Sequence, residues 1–192
     1  MTGEQINPLL VHLLTKKPFD EISNSPTISS LPGEYGRLIH RKKERIPREL
    51  VKNEFIIKCK SCHHEGKYNV GLMFLQPDRV EGHKSEEIVQ TTGYFRCKHC
   101  NDAGNWEMPT LFRVFINFQL ENILSSGEEG DGSQYLKIGE SLLFDKTWHL
   151  YCSDAEEHLL KKLKKDPNNS LIWDRLGNLY WKGDRPDLAA AV

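Results

Sequence analysis

No stretch of this sequence stays apolar for anything near the ~20 residues of a membrane-spanning helix, so no membrane partner is expected. The start, Met1-Thr2-Gly3-Glu4-Gln5, lacks the basic residues of a secretion signal. A dominant charge is missing too. Lys and Arg number 26 against 27 Asp and Glu, for a net charge of -1. That balance argues against a strongly basic nucleic-acid binder and against an acidic tail protein. No Ser-His-Asp set, paired-carboxylate motif or phosphate-binding loop is visible, and the glycine-rich stretch Gly127 to Gly132 is too acidic to cradle a phosphate. The expectation is a protein that is not an enzyme. Cysteine is scarce and odd in number, with four of five residues in two tight pairs and Cys152 alone. This pattern suits a reducing, cytoplasmic setting better than a disulfide framework.

What is present is concentrated in those pairs. Cys59-Lys60-Ser61-Cys62 and Cys97-Lys98-His99-Cys100 are both C-x-x-C, and each adjoins a strand-like run. The spacing turns both sulfurs of a pair toward one point. Two such pairs complete a tetrahedral thiolate shell, for which zinc is the default metal, and rubredoxin-like iron is the alternative. A closed four-cysteine shell leaves no position for water or substrate, so a structural role is expected. His63, His64 and His99 crowd the same turns. They read as solvent-facing turn residues, the alternative being a histidine that replaces a thiolate or supports one. Cys152 reads as a small buried hydrophobe rather than a reactive thiol.

With 192 residues, 38% apolar and 28% charged, the chain suits one globular domain or two small ones. Residues 4–15 carry Leu9, Leu10, Val11, Leu13 and Leu14 behind Pro8, a short helix pattern. Lys17 to Gly36 reads as an irregular connector. Residues 37–60 hold nine Lys and Arg against three Glu, with Phe55 the sole aromatic, which gives little support for stacking on bases. Strands are expected at Phe55–Ile57, over Tyr68–Leu75 and over Glu87–Phe95. Gln76 to Glu86 and Ser125 to Ser133 read as loops. Pro109 to Leu124 fits both a strand and a helix, and its length and early proline favour the helix. Ser141 to His149 suggests a hairpin around Asp145-Lys146. Ser153 with Glu156 predicts a capping box for a helix that ends at Asp166-Pro167, and a second helix runs from Leu171 to Trp181. The fold expected is α+β. Residues 1–52 form an N-terminal helix and basic linker, 53–150 a small antiparallel β-module with a following helix and loop, and 151–192 helices.

Two resemblances sharpen this reading. The paired C-x-x-C segments resemble the zinc ribbon family over roughly residues 53–105, which implies one structural Zn2+ held by Cys59, Cys62, Cys97 and Cys100. Positions 63–96, 34 residues, separate the pairs, against ~15–20 in the usual pattern. Trp173, Leu176, Gly177, Tyr180 and Ala189 follow the spacing of the tetratricopeptide repeat. That resemblance covers 153–192 and implies a surface that binds a protein or peptide partner. The chain ends at Val192, inside what the repeat makes its second helix, so a truncated fragment with more repeats downstream is expected. The function expected is a protein-interaction or scaffold module. The alternatives are a nucleic-acid-associated zinc ribbon factor or a non-catalytic fragment of a larger enzyme.

Overall fold

The computed structural model describes residues 4–47, 51–76, 88–126 and 133–192, and its architecture is mixed α+β. Most of the two expected loops, at 76–86 and 125–133, lies outside the described residues. Helix α1 spans Pro8–Thr15. The Asn7 side chain caps it by accepting from the Leu9 N–H at 2.9 Å, and Pro8 presets the first turn. Lys16 ends it in the left-handed region at φ 61°. Helix α2, Tyr35–Lys42, begins the stretch that sequence alone marked only as basic.

Strand β1 (Glu54–Cys59) pairs antiparallel with β2 (Glu65–Asn69), setting Phe55 opposite Tyr68 and Ile57 opposite Gly66. On its other side β1 meets β5 (Trp106–Glu107), with Cys59 opposite Trp106. A second sheet has β3 (Met73–Leu75) at its centre, antiparallel to β4 (Val89–Thr91) and parallel to β6 (Leu136–Ile138).

The strand expected over Tyr68–Leu75 is therefore broken in two, and the halves belong to different sheets. The break lies at Gly71, whose φ of 69° suits glycine. Gly93 packs directly against this bend. Its N–H donates to the Val70 carbonyl at 2.8 Å, and a Cβ there would lie 2.1 Å from the Asn69 carbonyl oxygen. Alternation along 68–75 could not reveal a contact made with a glycine more than twenty residues away.

Helix α3 spans Thr110–Ser126, and the helical reading of this segment holds. Phe112, Ile116, Gln119 and Ile123 are buried, while Val114 and Phe118 are each 57% exposed, a helical period rather than a strand alternation. The hairpin at Ser141–His149 is present as a Leu142–Trp148 bridge, with Lys146 at φ 62° in its turn.

Helices α4 (Cys152–Lys165), α5 (Ser170–Lys182) and the short α6 (Pro186–Ala189) close the chain. The expected capping box at Ser153 and Glu156 does not form. Tyr151 occupies the cap position and its side chain does not cap the helix, and Ser153 Oγ instead donates to the Ala103 carbonyl at 2.8 Å. Glu156 is fully buried in a tertiary network. Asn169 does cap α5, accepting from the Ile172 N–H at 3.2 Å.

Two apolar cores result. One joins both sheets to α3 through Ile57, Met73, Val89, Phe95, Trp106 and Phe112. The other packs α1 and its flanks (Ile6, Leu10, Leu13) against Leu159, Leu163, Leu176, Tyr180 and Leu188 of the C-terminal helices. Cys152 lies in this second core, where burial pushes its thiol pKa well up. Among the described residues no helix is long and apolar enough to cross a membrane.

The Gly71–Gly93 contact makes a sharp stability prediction. Gly93→Ala should lower stability by about 2–4 kcal/mol, because its methyl group meets backbone rather than a movable side chain. Urea unfolding of purified protein measures this. A loss under about 0.5 kcal/mol, typical of ordinary surface sites, would show that the bend relaxes freely.

Candidate metal centre

The two cysteine pairs occupy turns of the same construction. After each second cysteine comes a residue in the left-handed region, His63 at φ 60° and Asn101 at φ 62°. In the first turn the His63 N–H donates to the Cys59 carbonyl at 2.8 Å, and the Cys59 N–H donates to the His64 carbonyl at 2.9 Å. In the second, Asn101 N–H donates to Cys97 O at 2.9 Å, and Cys97 N–H to Asp102 O at 2.8 Å. The equal C-x-x-C spacing thus reflects equal backbone paths, and each path leads both sulfurs of its pair to the same side.

The β1–β2 hairpin carries the first turn at its tip. The second is held against it by Tyr68, whose hydroxyl accepts from the Lys98 N–H at 3.0 Å. Burial, then the nearby Cys97 and Cys59, push the Tyr68 hydroxyl pKa up to about 12, so it remains a phenol. Ser61 of the first turn donates to the Asp102 carboxylate of the second. The Lys60 N–H reaches the Asn105 carbonyl at 2.9 Å.

The result is four sulfurs, all within 4.8 Å of one another. The close approaches run between turns, Cys59 to Cys100 at 3.7 Å and Cys62 to Cys97 at 3.5 Å. Disulfide sulfurs would be ~2.05 Å apart, so these are four free thiol groups. Four sulfurs placed tetrahedrally at ~2.3 Å around one ion would be ~3.8 Å apart, which matches the geometry. The thiols oppose one another's ionisation when no cation lies between them. Burial first, and then hydrogen bonding to Cys62, Cys97 and Cys59, push Cys100 up to about 12. A bound divalent ion removes that opposition by stabilising the thiolates. The four cysteines singled out by spacing are brought together and are compatible with a metal site.

The nearby histidines do not join them. His63 serves the turn backbone, and His64 stacks on His99 with ring centroids 5.6 Å apart. Glu4, His40 and Asp187 form a second group of potential ligand atoms. Arg185 already engages it, at 2.8 Å from Asp187 and 3.6 Å from Glu4, and His40 Nδ1 lies 2.8 Å from Asp187. That group is a charge network tying α2 to α6.

Sequence spacing missed the residues flanking the second pair. Arg96 directly precedes Cys97, and its Nε donates to both the carbonyl and the side-chain oxygen of Asn101, at 3.1 and 2.9 Å. Asn101 Nδ2 in turn donates to the carbonyls of Ile6 and Asn24, at 3.0 and 2.9 Å. The far end of Arg96 meets buried Glu156 at 3.1 Å. Tyr94 and Tyr180 hydroxyls and the Asn7 amide complete the donors around that carboxylate. Burial raises the Glu156 pKa, opposed by Arg96, Tyr180 and Asn7. An arginine next to a metal-type cysteine and a glutamate in a helix carry no joint sequence signature, because they are 60 residues apart. No family profile, curated protein or solved structure matches this chain.

The Arg96–Glu156 pair should be expensive to break. Glu156→Ala leaves the buried guanidinium only the more distant Glu157 carboxylate, 3.8 Å away, and a loss of about 3–5 kcal/mol is expected. Adding Arg96→Met should recover part of that loss, as urea unfolding of both variants would show. A double-variant loss equal to the sum of the separate Glu156→Ala and Arg96→Met losses would mean that the pair is not coupled.

Proposed function

We propose that this chain is a protein-interaction module whose β-part is ordered by one structural zinc ion and whose C-terminal helices act as a tetratricopeptide-like hairpin. Cys59, Cys62, Cys97 and Cys100 would hold the ion, which supplies the positive charge that keeps four thiolates together. The thiolate set favours zinc because all four donors are sulfur and the shell is closed. Such a set needs a reducing compartment, so the cytoplasm is the setting proposed.

The observation that carries the interaction role is the outer face of α5. Trp173, Gly177 and Trp181 follow one another at four-residue intervals, and with Ala189 and Val192 they line a groove of about 380 Å³. Trp181 is 47% exposed. The Trp173 ring is held by its own N–H, which donates to the Pro167 carbonyl at 2.9 Å. Gly177 keeps the floor low, since a Cβ there would already touch Val192 at 3.5 Å. A held indole ring, Trp173, and an exposed one, Trp181, around a small-residue floor are the kind of surface that anchors a protein partner.

Two measurements test this reading. Elemental analysis of freshly purified, reduced protein should find about one zinc per chain, lost in Cys97→Ser. Absence of zinc from the native protein would overturn the metal assignment. For the interaction role, proteins cross-linked to the native chain in cells should be lost from Trp173→Ala/Trp181→Ala, with zinc content and unfolding midpoint retained. An unchanged set of cross-linked proteins would remove the α5 face from the proposal.

A further inference from the structure

A cavity of about 70 Å³ lies where the end of β4, the Ser141–His149 hairpin, the first turn of α4 and the last turn of α5 meet. It shares no lining residue with the α5 groove. Its walls are mainly apolar. Leu142 and Leu143 come from the hairpin, Tyr151, Cys152 and Ala155 from around the start of α4, and Leu179 from α5. Gln90 of β4 ties the hairpin down. Its side-chain N–H groups donate to the Ser141 and His149 carbonyls at 2.9 and 2.7 Å, and its side-chain oxygen accepts from the Ser141 N–H at 2.7 Å. The Gln90 amide is thus engaged by backbone partners, and the surface around it is held in place without a ligand.

The charge on the wall has one sign. Lys182 is the sole lysine or arginine that lines the cavity, and no carboxylate lines it. Lys182 is exposed while Cys152 and Ala155 are buried, which places the cation at the rim and the apolar surface within. Burial, and then His158, lower the His149 pKa, so that ring is neutral near pH 7. Burial also keeps the Cys152 thiol protonated. A cavity that is apolar inside and cationic at its mouth complements a small molecule with an apolar tail and one negative head. A water-sized group needs ~10–15 Å³, so about five fit, the length of a short acyl chain. We infer that this cavity binds a short-chain carboxylic acid, its tail against Leu143, Ala155 and Leu179 and its carboxylate at Lys182. This site is independent of the α5 face.

Hexanoate, titrated into the isotope-labelled full chain and followed by NMR, tests the inference. Amide shifts should concentrate at Leu143, Ala155, Leu179 and Lys182. From butyrate to hexanoate each added methylene should tighten binding by about fourfold, with no further gain at octanoate, because the cavity is then full. Lys182→Gln should weaken hexanoate by roughly threefold, the size of an exposed ion pair, and leave 1-hexanol unchanged. Ala155→Val takes the space of two chain carbons and should weaken both by roughly tenfold. Lys164→Gln, on the exposed side of α4, should change neither. Trp173→Ala/Trp181→Ala should also change neither, which separates this site from the proposed function. Thermal unfolding confirms that each variant is folded. Shifts confined to other residues, or an affinity that ignores chain length, would overturn the inference. So would 1-hexanol bound by the native chain as tightly as hexanoate, or a Lys182→Gln variant that binds hexanoate as the native chain does.

Discussion

One buried charge pair, Arg96 with Glu156, connects most of what is unusual in this molecule. Arg96 is adjacent to Cys97 in the chain, and Glu156 lies on α4 at the heart of the helical core. The pair stands where the two apolar cores meet. A guanidinium and a carboxylate buried this deeply are tolerable only while each has the other and their remaining hydrogen-bonding groups are satisfied. Asn101, Tyr94, Tyr180 and Asn7 supply that satisfaction. The second cysteine turn is consequently held in place by the helices as much as by its own sheet.

The coupling extends to the N-terminal segment. Asn101 donates to the carbonyls of Ile6 and Asn24, so the turn that follows Cys100 also fastens the chain on both sides of α1. α1 then packs on α4, and α2 on α6. Strands β5 and β6 are only two and three residues long, and such short strands make a small sheet marginal alone. Four sulfurs drawn to one point and a buried ion pair beside them are two separate constraints on the same short segment, residues 96–101.

Much of the candidate centre was legible because its signal is local. Two identical C-x-x-C spacings encode two identical turns, and the four cysteines do converge. α1, α3, α4 and α5 were legible for the same reason, since caps, prolines and helical periodicity act within a few residues. The capping box was misread because Ser153 and Glu156 have local partners available and stronger tertiary ones. Ser153 bonds to Ala103, and Glu156 to a network drawn from four segments. Helix α2 was hidden by its charge: Arg37, Arg41 and Lys42 face solvent, and its close approach to α6 rests on Gly36 rather than on an apolar stripe.

The sequence by itself determined the local pieces: where α1, α3, α4 and α5 run, which cysteines converge, and that no run is apolar enough for a membrane-spanning helix. Periodicity, capping and residue spacing are properties of neighbouring residues, so they need no fold to be read. The tertiary structure alone decided the break at Gly71, the partition of the strands into two sheets and the burial of Arg96 against Glu156. It also brought Lys52 and Lys67 to one carboxylate, Glu54. Each of these depends on groups distant in the chain meeting at a distance of a few ångströms, and such meetings follow from how the elements pack rather than from any pattern within them.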